Sequence, residues 1–145
     1  MLTPLSIDQV KAITAGEIRG KITQNPITQI SIDSRQILHP EQTLFVALRG
    51  AKADGADFIP ELIGQGIRLF LVHQDWQEEK VLSDQAAFIL VADTRKALQE
   101  IAAYQRAQFS KPVVGITGSN GKTIIKEWLG QVLGQSFTVA KSPKS

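Results

Sequence analysis

The chain has no cysteine, which removes disulfides, thiolate metal sites and cysteine nucleophiles together. That absence fits a reducing cytosol. Histidine is nearly as scarce. His39 and His73 stand far apart and read as lacking acidic neighbours, so a histidine metal site is not expected. Long apolar runs are missing too. The longest, Ala86 to Ala92, falls well short of the roughly 20 residues of a bilayer-spanning helix, so membrane insertion is not expected. Met1-Leu2-Thr3-Pro4 carries neither a basic cluster nor an apolar stretch, and no signal peptide is read. Charge of one sign is also absent. The formal net charge is +2 and the lysines and arginines are scattered, which argues against nucleic acid as a partner.

With 43% hydrophobic and 21% charged residues, the 145-residue chain has the balance of a folded globular protein. Its length suits one domain, or one domain and part of another. Ser6 can cap a short helix with Gln9 as its capping-box partner, Ile7, Val10 and Ile13 inward and Gly16 as its end. A polar stretch runs on through Asn25-Pro26. Thr28 to Asp33 alternates as a strand, and Leu44 to Leu48 reads as a buried strand. Asp57 is positioned to cap a helix bearing Phe58, Ile59, Leu62 and Ile63, with Pro60 tolerated in its first turn.

Arg68 to Val72 and Ala87 to Val91 are two further strands; the charged segment between them, with Trp76, is ambiguous. Asp93 or Thr94 starts a longer helix with Ala97, Leu98, Ile101 and Ala102 inward, ending before Lys111-Pro112. Val113 to Thr117 reads as a strand, Gly121 to Leu133 as an amphipathic helix and Phe137 to Ala140 as the start of another strand. Strands alternating with helices predict an α/β fold with a largely parallel sheet.

The run Gly115-Ile116-Thr117-Gly118-Ser119-Asn120-Gly121-Lys122-Thr123 carries the clearest chemistry. Glycines let backbone N–H groups turn inward around phosphate oxygens. Lys122 can neutralise the β and γ phosphates, and the Thr123 hydroxyl can ligate Mg²⁺. The strict pattern G-x-x-x-x-G-K-[ST] fails where Ile116 replaces its first glycine, whereas T-G-x-x-G-K-[ST] fits. A glycine turn with a solvated lysine is the structural alternative. The apolar strand before the run and the helix after it favour phosphate binding.

This run resembles the ATP loop of the Mur ligases and the folylpolyglutamate synthases, many of which have a second threonine where this chain has Ile124. Upstream, Ile32-Asp33-Ser34-Arg35, Pro40, Leu44 to Gly50 and Asp54 to Phe58 resemble the N-terminal domain of Mur ligases, which folylpolyglutamate synthases lack. Glu41 departs from that pattern after Pro40, as does Ala56 after Asp54-Gly55, where the family has glycine and histidine. Residue by residue, Asp33-Ser34-Arg35 also reads as a strand-end turn and Asp54-Gly55 as a β-turn. Arg35 can contact phosphate or hold the loop through a carboxylate pair.

The resemblance implies an N-terminal uridine-nucleotide domain over 1–110 and the strand, P-loop and helix that open an ATP-binding domain over 111–145. It further implies a chain cut within that second domain. ATP and Mg²⁺ follow as cofactors, with Lys122 catalytic, Gly118, Ser119, Asn120, Gly121, Lys122 and Thr123 around ATP, and Thr123 on Mg²⁺. The uridine set implied is Ser34, Arg35, Phe45, Ala47, Leu48, Gly50, Asp54 and Gly55.

Val91-Ala92-Asp93-Thr94, Ala97-Leu98 and Gly121 to Glu127 are most similar to the branch that joins D-alanyl-D-alanine to UDP-N-acetylmuramoyl-tripeptide. The ending Lys141-Ser142-Pro143-Lys144-Ser145 is similar to members fused to an alanine racemase domain. The implied partners are those two substrates and the ligase's remaining domains. The branch adding the third peptide residue, another P-loop enzyme and a non-catalytic nucleotide module are the alternatives.

Overall fold

The computed structural model describes residues 3–50, 54–77 and 84–143. They form two compact units, Met1–Phe109 and Ser110–Ser145. Residues 78–83 of the segment left ambiguous above lie outside the described residues.

The first unit opens with helix α1, Ile7–Thr14. Its capping box is complete. The Gln9 N–H donates to Ser6 Oγ at 3.2 Å, and Ser6 N–H donates to Gln9 Oε1 at 2.8 Å. Ala15, not Gly16, takes the left-handed turn that ends the helix, with φ 51°. Gly16 serves close approach instead: a Cβ there would lie 2.6 Å from Ile89 Cγ2.

Five strands follow: β1 Glu17–Gly20, β2 Gln29–Ser31, β3 Thr43–Val46, β4 Leu69–His73 and β5 Ala87–Val91. They are ordered β1-β5-β4-β3-β2; β2 to β5 are mutually parallel and β1 is antiparallel to β5. Strand β1 lies in the stretch read above as polar. It is an edge strand and needs only Ile18 half-buried, so its sequence shows no apolar run.

Alternation along the inner strands builds two cores. Leu44 and Val46, Leu69 and Leu71, and Ile89 and Val91 face one way, toward α1 and helix α3, Thr94–Gln108. Phe45, Phe70, Val72, Phe88 and Leu90 face the other way, toward helix α2, Ile59–Gly64. A mainly parallel sheet buried on both faces is the expected α/β arrangement.

The caps of the later helices are specific. Asp93 Oδ1 accepts the Arg95 and Lys96 N–H groups at the start of α3. Within α3, Ala97 and Ile101 are buried and Leu98 is half-buried, while Ala102 faces solvent and Tyr104 packs in its place. Ahead of α2, Asp54 and not Asp57 is the cap, accepting Ala56 N–H at 2.9 Å. Asp57 lies inside the 3₁₀ turn Gly55–Phe58 that Asp54 opens.

In the second unit the expected helix is present as α4, Lys122–Gly134. The two expected strands, over 113–117 and 137–140, are not formed. A strand exists through ladder hydrogen bonds to a neighbour, and the described residues of this unit supply no paired strand. The apolar stripe of α4 is correspondingly exposed at Ile124, Ile125, Trp128 and Val132.

Candidate functional site

In the glycine loop the backbone departs from ordinary geometry at two points. Gly118 has φ 149° and Gly121 φ 78°, conformations that side chains with a Cβ rarely adopt. Gly121 is also the N-cap of α4 and gives it no side-chain cap. The first-turn N–H groups of α4 therefore keep their positive ends open to an anion. Lys122 Nζ folds back to donate to Gly118 O at 2.6 Å and Ser119 O at 3.5 Å. Thr123 stands exposed one residue further along the same turn. Backbone able to curl, a helix start without a cap, an amine and a hydroxyl thus occur together, and this set suits a polyphosphate with its divalent cation.

The first unit holds the residues of the uridine set. After β2, Asp33 makes a bidentate pair with Arg35, Nε–Oδ1 2.9 Å and Nη2–Oδ2 2.9 Å, and also accepts Arg35 N–H at 3.0 Å. Of the two roles open to Arg35, the structure shows the loop-holding one. The Arg35 side chain, 85% exposed, donates to Asp33 and holds its carboxyl at a pKa of about 2. Half-buried Ser34 sits between them. Gln29 fastens the same loop: its Nε2 donates to Gln36 O at 2.9 Å, and its Oε1 accepts Leu38 N–H at 3.2 Å. Nothing in the residue type of Gln29 announced that task.

After β3 the chain turns sharply, with Leu48 N–H donating to Val46 O at 3.0 Å. Arg49 and Asp54 then pair as an isolated antiparallel bridge. Gly55 N–H closes the hairpin on Leu48 O at 2.9 Å. A Cβ on Gly55 would lie 2.9 Å from both Ala47 Cα and Leu48 N, so only glycine fits there. Leu48, Asp54 and Gly55 are therefore brought together, with Gly50 exposed on the connecting segment. The Phe45 and Ala47 side chains lie in the core beneath the sheet, at 1% and 2% exposure, so the part of these two residues turned toward the strand end is backbone.

A cavity of about 230 Å³ opens beside this hairpin. It is lined by Leu48 and Arg49 after β3, His73 at the end of β4, and Ala92 to Arg95 at the start of α3. It thus lies at the carboxyl ends of parallel strands, where open α/β sheets bind their ligands. The Arg49 guanidinium donates from Nε to Asp54 Oδ2 at 3.3 Å and from Nη1 to Asp75 Oδ2 at 3.0 Å. The bonds from Arg49 to Asp75 hold the Asp75 carboxyl below its ordinary range. His73 Nδ1 lies 2.8 Å from Asp75 Oδ1, so His73 does have an acidic neighbour. The turn after β4 folds Asp75 back onto the histidine. Among the described residues, no group of three or more His, Cys, Asp or Glu side chains could hold a metal ion, and no helix is long and apolar enough to cross a membrane.

The sequence profile described as the Mur ligase family, catalytic domain, matches residues 26–106. The UDP-N-acetylmuramoyl-tripeptide–D-alanyl-D-alanine ligase of Synechocystis sp. is 38% identical over 116 residues, 80% of this chain and 24% of the relative. The crystal structure of MurF from Acinetobacter baumannii superposes with a TM-score of 0.76 at 33% identity, over 93% of this chain and 28% of that one. MurF of Thermotoga maritima, solved in complex with ADP, gives a TM-score of 0.64 at 28% identity, over 82% of this chain and 26% of that one. The chain therefore spans about a quarter of the length of these relatives. The profile covers more than half of the residues, including the Asp33–Arg35 turn, the Gly55 hairpin and the cavity beside it, and the chain belongs to the Mur ligase family.

Proposed function

We propose that the full-length protein joins D-alanyl-D-alanine to UDP-N-acetylmuramoyl-tripeptide at the expense of ATP, in the cytoplasm. The first unit is read as the uridine-nucleotide domain and Ser110–Ser145 as the opening of the ATP-binding domain. The observation that carries this reading is the helix start at Gly121-Lys122-Thr123, without a side-chain cap, in a chain whose relatives include D-alanyl-D-alanine ligases.

The roles of the chain's own residues follow from their placement. Open N–H groups around Gly118, Ser119, Asn120 and Gly121 bind phosphate oxygens. Lys122 releases Gly118 O and turns its amine to the transferred phosphoryl group, where charge develops. Thr123 presents its hydroxyl to Mg²⁺, which supplies charge neutralisation when bound. The terminal carboxylate of the tripeptide takes the γ-phosphoryl group of ATP, releasing ADP, and the dipeptide amine then attacks the acyl phosphate, losing a proton and displacing phosphate to form the amide. Ser34, Leu48, Gly50, Asp54 and Gly55 position the uridine end.

Lys122→Ala in the full-length protein is expected to lower ATP-dependent amide formation by at least about a hundredfold. Unchanged turnover overturns the assignment of Lys122. Supplying single amino acids in place of D-alanyl-D-alanine tests the substrate. Preference for a single amino acid replaces this reading with the third-residue ligase.

A further inference from the structure

Asparagine occurs twice in the chain, and the residue after it differs. Asn25 precedes Pro26, whose nitrogen carries no hydrogen. Asn120 precedes Gly121 in the glycine loop. The nitrogen of the next residue can attack an asparagine side chain. Four restraints oppose that attack: a Cβ on the next residue, a hydrogen bond from its N–H, hydrogen bonds that fix the side-chain amide, and packing that stops the peptide from rotating. The loop has none of them. Gly121 has no Cβ, and one built there would meet nothing within 4 Å. Asn120 is exposed, and among the described residues neither its side-chain amide nor the Gly121 N–H makes a hydrogen bond.

Asp54-Gly55 offers related chemistry in the opposite geometry. Asp54 Oδ1 accepts Ala56 N–H at 2.9 Å, and Oδ2 accepts Arg49 Nε at 3.3 Å. Gly55 N–H donates to Leu48 O at 2.9 Å, and the backbone of Ala47 and Leu48 crowds its Cα. That pair is held at each point where Asn120-Gly121 is free. Charge widens the difference. The Lys122 ammonium reaches Ser119 O at 3.5 Å, and the positive end of α4 starts at Gly121. Both favour the negatively charged nitrogen that forms when Gly121 N–H loses its proton.

We propose that Asn120 is a self-modifying site, and that a bound nucleotide guards it. Gly121 N gives its proton to hydroxide and attacks Asn120 Cγ. A C–N bond forms, the bond from Cγ to the side-chain nitrogen breaks, and ammonia leaves with a proton taken back from water. Water then opens the five-membered imide at either carbonyl. The products are aspartate or isoaspartate, the latter with one more atom in the main chain. Either puts a carboxylate beside the N–H groups expected to hold phosphate, and like charges repel. The guarding half rests on the phosphate-loop reading given above: a phosphate oxygen that accepts the Gly121 N–H ties up the nucleophile.

The test follows the mass of the tryptic peptide over 107–122 while the purified 145-residue chain stands in mildly alkaline buffer, folded and in urea. Exchange of the amide NH₂ for OH adds one mass unit. The folded chain is expected to lose Asn120 within about tenfold of its rate in urea, because an unrestrained loop needs little opening to react. Asn25 keeps its amide, and Asp54 in the folded chain does not isomerise. Asn120→Gln removes the mass gain, since the larger ring closes far more slowly. A folded rate more than about tenfold below the rate in urea overturns the proposal. So does a mass gain that persists in the variant, folded or not. In the full-length protein, Mg²⁺ with ATP at about a hundred times its measured Kd is expected to slow the loss about a hundredfold. Binding of ATP without slowing overturns the guard alone. No binding of ATP overturns the phosphate-loop reading and the guard with it, and the modification stands.

Discussion

At residue scale, the Asp33–Arg35 pair determines the shape of the turn that carries Ser34. Arg35 spends its guanidinium on Asp33, and Asp33 also takes the Arg35 N–H, so three hydrogen bonds converge on one half-buried carboxylate. The carboxyl is held at a pKa of about 2, against an ordinary 3.8, first by the Arg35 side chain and then by its backbone N–H. A depressed carboxyl stabilises the native turn above its unfolded pKa and loses that contribution as pH falls through the folded value. The turn is thus fully held above 3.8 and released as pH drops toward about 2. Carbon-detected NMR titration of Asp33 should give a midpoint of about 2, and Arg35→Gln should move it up toward 3.8. A midpoint that stays put in the variant shows that Arg35 is not the cause. Gly55 illustrates the other kind of residue-level constraint, where backbone approaches from Ala47 and Leu48 leave no room for any side chain.

At the scale of elements, caps place the site. Asp54 starts the turn into α2, and Asp93 starts α3 beside the cavity. Both follow the carboxyl end of a parallel strand, so capping chemistry and ligand chemistry share the same few positions. Helix α1 is capped far from that end, and its cap can be changed without touching the site. Ser6→Ala removes Oγ from the Gln9 N–H and should lower stability by about 1 kcal/mol, read from urea unfolding. Nucleotide binding in that variant should be unchanged. A loss below a few tenths of a kcal/mol would mean that Gln9 alone satisfies the helix start. The glycine loop belongs to this scale as well. Gly121 caps α4 with no side chain, which exposes the helix start to a ligand in place of sealing it.

At the scale of the whole molecule, the first unit owes its stability to two cores on one sheet. The core under α2 is anchored by aromatic rings. Phe70 stacks on Phe88 at 5.4 Å and meets Phe45 edge-on at 6.2 Å, and Trp76 lies 4.7 Å from Phe88. Phe70→Ala should cost about 3–5 kcal/mol, since it removes the central ring of that set and leaves a cavity. Thermal unfolding followed in the near-ultraviolet measures this. A cost under about 1 kcal/mol would show that the core collapses around the gap. In the second unit, α4 has an exposed apolar stripe and no ladder beside it, so packing within Ser110–Ser145 contributes little.

The sequence by itself determined strands β2 to β5 and helices α1 to α4, and it put the glycines, Lys122 and Thr123 of the glycine loop at the start of a helix. Buried strands are continuous apolar runs, a capping box is a local pattern, and a phosphate loop is contiguous in the chain. Only tertiary structure decided the rest. Edge strand β1 became visible through its pairing with β5, because one half-buried isoleucine is too little pattern to read. Val113 to Thr117 matched a strand by composition but lacks a partner to make it one. The cavity joins residues 48, 73 and 94, separated in the chain and adjacent only because β3, β4 and β5 lie side by side in parallel.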